Sequence, residues 1–145
     1  MRFMIIAKTT PELEKESALP DPKLMEEMGK FNEELIKAGI VLAMDGLHPS
    51  SKGARVKFSG KSCTVIDGPF TEAKELVAGF WIWRVNSLEE AIEWVKRCPC
   101  PDAGDSEIEI RQIGEMEDFA PVLSEEEIQH KIRGRAQLPN QTADK

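Results

Sequence analysis

The chain has 145 residues, of which 41% are apolar and 31% charged, and a formal charge of −7. That is enough for one domain with its own core, since domains commonly run to roughly 100–150 residues. The acidic balance argues against binding a nucleic-acid backbone or an anionic membrane, both of which call for clustered Lys and Arg.

No apolar run approaches the roughly 20 residues of a membrane span. The N-terminal MRFMIIAKTTPE lacks the make-up of a signal peptide, so a cytoplasmic location is expected. Residues 2–8 (RFMIIAK) form a short apolar run that reads as a strand, followed by a loop over 9–20 with two prolines and several charges. Asp21-Pro22 supplies an N-cap and a first-turn proline. Leu24, Met28, Phe31 and Leu35 then share one helical face, and Gly39 closes the helix. Residues 40–47 (IVLAMDGL) predict a second strand. A hairpin follows, with 54–58 and 62–66 flanking Ser59-Gly60-Lys61. Thr71 is expected to cap a short helical turn ending at Gly79. Residues 80–85 (FWIWRV) make the clearest strand. Ser87-Leu88-Glu89-Glu90 reads as a capping box for a second helix, stopped by Pro99 and Pro101. Residues 107–113 alternate as a last core strand. Ser124 to Glu127 form another capping box, and 133–145 are expected to be a mobile tail.

Set apart from the hairpin, this order is βαββαβ, the ferredoxin-like α+β pattern, with both helices on one face of an antiparallel sheet. The domain is expected over 1–120, with a C-terminal helix and tail over 121–145. Strands 2–8 and 80–85 are apolar on both faces, whereas a solvated sheet face should alternate with polar residues. A second copy of the sheet is the economical cover, so a homodimer that closes into an α+β barrel is expected. The three cysteines, Cys63, Cys98 and Cys100, are odd in number and lack the partners of a disulfide framework or a zinc set, so neither a metal site nor a cofactor is expected.

The run Asp67-Gly68-Pro69-Phe70-Thr71-Glu72-Ala73-Lys74-Glu75, then Gly79-Phe80, resembles the signature of the DGPF branch of the YCII-related domain family. Phe31 to Leu35 with Gly39, and Asp45 to Gly53, extend the likeness over about residues 1–115. The resemblance implies ferredoxin-like subunits paired by their open sheet faces, and a His/Asp pair in a cleft as a candidate active site. It also implies, for some relatives, a link to extracytoplasmic-function sigma factors.

Asp45 and His48 flank a turn at the end of the second strand, where a carboxylate can orient an imidazole for acid–base work; the alternative is turn and loop capping. Asp67 can present a carboxylate from a rigid turn, or accept hydrogen bonds within it. These three are the catalytic candidates. Glu72, Lys74, Trp81, Glu109 and Arg111 are the substrate-binding candidates. Glu109 and Arg111 lie opposite Ile108 and Ile110 and can clamp a ligand or form ion pairs. Trp81 can wall a cleft or fill the core. The expected function is binding or cofactor-free acid–base transformation of a small organic molecule in the dimer cleft. The alternative is a regulatory module that partners a sigma factor through the helix at 124–131.

Overall fold

The apolar alternation of the N-terminus becomes strand β1 (Arg2–Lys8) in a computed structural model that describes residues 1–15, 19–100 and 105–139. Helix α1 (Pro22–Lys37) starts where expected: the Asp21 carboxylate accepts from Lys23 N at 3.0 Å, which satisfies one of the donors a helix start leaves open. It ends at Ala38, and Gly39 takes φ +70°, a left-handed conformation that a Cβ would strain. Strand β2 (Val41–Gly46) leads through a single 3₁₀ turn at Ser50–Lys52 into the hairpin β3 (Ala54–Ser59) and β4 (Ser62–Asp67).

The segment after the hairpin departs from the expected capped turn. Its 3₁₀ turn covers only Ala73–Glu75 and follows Glu72 rather than Thr71, and β5 (Val77–Arg84) begins three residues before the predicted strand. Val77 pairs with Lys8 across a register shift, so pairing with β1 extends the strand beyond its aromatic run. Helix α2 (Leu88–Val95) is capped by Ser87, whose hydroxyl accepts from Glu90 N at 3.1 Å. The Glu90 carboxylate reaches back to Asn86 N at 2.8 Å rather than closing a box on Ser87. Strand β6 (Ile108–Gln112) completes a four-stranded sheet in the order β2-β5-β1-β6, every pair antiparallel. That is the ferredoxin-like order with β3–β4 inserted as a sheet of its own.

Register sorts the residues onto two faces. Phe3, Ile5 and Ala7 align with Trp83, Trp81 and Gly79 on one side and with Gln112, Ile110 and Ile108 on the other. This face carries the core, where Phe3, Ile5, Trp81 and Trp83 meet Phe31 and Leu35 of α1 and Ala91 of α2. Phe31 meets both tryptophans edge-on at 6.4 Å between centroids. Trp81 Nε1 donates to Asn32 Oδ1 at 2.9 Å. Trp83 is wholly buried, and among the described residues nothing accepts its Nε1 hydrogen. A lost partner costs about 1–3 kcal/mol. Burying a ring of roughly 150–250 Å² returns about 4–6 kcal/mol, so packing wins.

The second face holds Met4, Ile6, Ala43, Phe80 and Ile82, all partly buried and none of them part of that core. Cross-strand rows run Asp45–Phe80–Ile6–Glu109 and Ala43–Ile82–Met4–Arg111. An apolar centre with charged ends therefore lies opposite the helices. Residues Met1–Gln112 form one compact unit and Ile113–Lys145 a second. In the second unit a 3₁₀ turn (Met116–Phe119) precedes helix α3 (Glu125–Arg135), and the Ser124/Glu127 capping box is closed in both directions. Arg133 to Arg135 complete α3 instead of starting a tail, because Ala136 N still finds the Ile132 carbonyl at 3.0 Å. Residues 140–145, the end of the predicted tail, and Pro101 lie outside the described residues. Among the described residues no helix is long and apolar enough to cross a membrane.

Candidate functional site

The signature run at Asp67 builds a joint before it builds a site. A Cβ on Gly68 would sit 1.7 Å from the Ser50 carbonyl oxygen, so only glycine lets the turn lie against the Ser50–Lys52 turn. Gly68 N donates to Gly53 O at 3.0 Å, and Phe70 N donates to Ser50 Oγ at 3.0 Å. The Ser50 hydroxyl donates in turn to Glu14 Oε2 at 2.6 Å, and Ser50 N donates to Glu14 Oε1 at 3.0 Å. Arg55 stacks 3.8 Å from the Phe70 ring centroid and pairs with Glu75 at 2.8 Å. The loop after β1, the turn after β2 and the turn after β4 are thereby tied together through Ser50.

Beside this joint lies a cleft of about 520 Å³, formed where the loop after β1 meets the turn after β2 and the start of β5. Its apolar wall is Leu13, Leu47 and Val77. Its polar lining holds His48 with Lys15 and Lys52, and Thr9 and Glu14 complete it. The Glu14 carboxylate is engaged by Ser50 on both oxygens, so among the described residues Lys15, Lys52, His48 and the Thr9 hydroxyl are the polar side chains left to meet a ligand. Such a lining suits an anion that carries an apolar part.

The predicted residues divide between several places. His48 is exposed and lines the cleft. Asp45 is the next-to-last residue of β2, opposite Phe80 on the sheet face away from the helices, and no hydrogen bond joins it to His48 among the described residues. The strand is close to β5 there: a Cβ on Gly79 would come within 2.8 Å of the Asp45 carbonyl oxygen. Asp67 is exposed at the end of β4, opposite Ala54. Glu72 and Lys74 are exposed around the Ala73–Glu75 turn, and the Lys74 carbonyl accepts from Lys8 Nζ at 3.4 Å. Lys8 also lies 3.9 Å from Glu109, so that carboxylate has an ion pair within the chain. Arg111 is exposed at the end of its row. Trp81, 6% exposed with its indole N–H held by Asn32, belongs to the core and not to a cleft wall, because the Phe3/Ile5/Trp81 side is the one the helices cover.

Glu14, Lys15, Ser50 and Lys52 were not singled out by sequence reasoning. Their signal is weak, since each sits in a polar loop and becomes informative only when loops 36 residues apart meet, as Glu14 and Ser50 do. Cys98 is buried, and burial, with Cys100 beside it, pushes its thiol up to about 11. It is a poor nucleophile or metal ligand at neutral pH.

Comparison with known proteins follows the same outline. The model of the YCII-related domain matches residues 1–117, which takes in the whole first compact unit. An uncharacterised protein of Rhizobium meliloti (strain 1021) is 26% identical over 93 residues, covering 64% of this chain and 75% of that protein.

Proposed function

The chain belongs to the YCII-related domain family, and from that premise we propose that it binds a small organic acid and transforms it by acid–base chemistry needing no cofactor. One observation carries this reading: the 520 Å³ cleft sets His48 in the same lining as Lys15 and Lys52, beside an apolar wall. The lysines meet the carboxylate of the ligand, the wall takes its hydrocarbon part, and His48 moves the proton. Imidazole suits that task because its unperturbed charge change falls between pH 5 and 8. Asp45 lies three residues before His48 in the chain, and Asp67 ends β4 at the foot of the hairpin. Two copies pair through Met4, Ile6, Phe80 and Ile82, and Glu109 and Arg111 then line the seam. Each such side chain buried contributes roughly 1.5–3 kcal/mol.

A thermal-shift screen of small organic acids tests the site. A stabilising acid is expected, and at a hundredfold excess over its Kd it adds about 2.7 kcal/mol. His48→Ala should retain binding while losing turnover, and Lys52→Ala should weaken binding. A screen without a stabilising acid, or a Lys52→Ala protein that binds as wild type does, would overturn the reading.

A further inference from the structure

The loop after β1 is hydrogen-bonded to its surroundings at two places. Thr9 N donates to Leu76 O, just before β5, at 3.2 Å. Beyond Thr9 the loop turns on itself: Leu13 N donates to Thr10 Oγ1 at 3.4 Å, and Glu14 N donates to Thr10 O at 3.0 Å. Among the described residues, the hydrogen bonds that leave residues 10–15 are the two that Glu14 accepts, from Ser50 N at 3.0 Å and Ser50 Oγ at 2.6 Å. A carboxylate held on both oxygens is fixed in direction as well as in distance.

Both ends of this contact border the cleft. Leu13 and Lys15 flank Glu14 in the chain and line it, and Ser50 stands between His48 and Lys52, which line it too. Lys15, His48 and Lys52 are therefore each within two residues of one end of the contact. Charge alone sets Glu14 against an anionic ligand, because a carboxylate in the same lining repels it. Position works the other way, since the contact with Ser50 is what carries Lys15 to the cleft.

We propose that Glu14 is a positioning residue: its clamp on Ser50 sets Lys15 in the cleft, and Lys15, not Glu14, meets the carboxylate of the ligand. The proposal rests on the acid-binding reading above.

Calorimetric titration of the full chain tests it, with hexanoate and with whichever acid of the screen stabilises the chain most. Glu14→Ala should weaken binding about tenfold, as Lys15→Ala does, because each loses one charge-assisted contact. The two together should bind no more weakly than either alone, whereas Lys52→Ala added to Glu14→Ala should weaken binding further. A residue that only stabilised the fold would leave the Glu14 and Lys15 losses to add. Glu14→Gln keeps an acceptor for Ser50 N without the charge, and should recover part of the loss. If charge were its whole effect, Glu14→Ala and Glu14→Gln would both tighten binding. That result, additive losses, or Glu14→Ala binding as wild type does, overturns the proposal and leaves the acid-binding reading standing. If no acid binds wild type, both fall. Amide exchange checks the clamp without a ligand: Ser50 N–H should exchange slowly in wild type and fast in Glu14→Ala, and equal exchange in the two refutes the clamp.

Discussion

Replacing Gly68 by Ala tests whether the signature turn is held by close backbone approach. The new Cβ would lie 1.7 Å from Ser50 O, 2.5 Å from Ser50 C and 3.1 Å from Ser51 N. All three are backbone atoms, so no rotamer change relieves the contact and the two turns must part. Parting breaks Gly68 N to Gly53 O and Phe70 N to Ser50 Oγ, each worth about 1 kcal/mol. It also loosens the Arg55–Phe70 stack, worth about 0.5–1 kcal/mol at an exposed site. The entropy that Ala removes from the unfolded chain returns roughly 0.4–1 kcal/mol. The net loss is then about 2 kcal/mol, which lowers Tm by roughly 4–8 °C for a domain of this size. Thermal unfolding measures the total, and amide exchange over 54–67 locates it, because the hairpin should open before the four-stranded sheet. Gly46→Ala is the control, since a Cβ there meets nothing within 4 Å. A Gly68→Ala protein that melts within about 1 °C of wild type, with hairpin amides equally protected, would refute the argument.

Trp83→Ala should cost about 3–5 kcal/mol in urea unfolding, because the largest fully buried ring leaves a cavity under α1; a loss below about 1 kcal/mol would mean the core collapses freely into the gap. Arg55→Ala removes both the Phe70 stack and the Glu75 pair, and should raise amide exchange at the base of the hairpin while Tm falls by only a few degrees, roughly as a 1 kcal/mol loss would give. Cys98 should resist iodoacetamide at pH 8 while exposed Cys100 reacts, since a thiol titrating near 11 is only about a thousandth ionised there. Mass mapping of the labelled peptide decides the point, and equal labelling of the two would contradict the burial argument. The same shift has a stability consequence: because burial raises the folded thiol above its ordinary value, the contribution of Cys98 is complete below about pH 9 and is lost as pH rises toward 11.

Much of this fold could be read from short stretches of chain. Asp21 and Ser124 cap their helices within three residues, Gly39 closes α1 where the apolar spacing stops, and alternation marked β1, β5 and β6. These signals are local because caps and periodicity depend on groups one or two turns apart. The same alternation showed that two faces of the sheet are apolar. Which face the helices cover was decided by register and packing, and that choice put Trp81 beside Asn32 in the core and left Phe80 and Ile82 on the open side. The cleft was the least legible part. His48 stood out by its chemistry, but Lys15, Lys52 and Glu14 are ordinary loop residues until Ser50 draws three loops together. A hydrogen bond between residues 36 apart depends on where the strands between them end, and single-residue signals carry no record of that distance. The sequence alone determined the elements, their order and the residue types able to bind or transfer a proton; the tertiary structure alone decided which of them meet, because loop contacts follow from strand register and from the one position where a missing Cβ lets two turns touch.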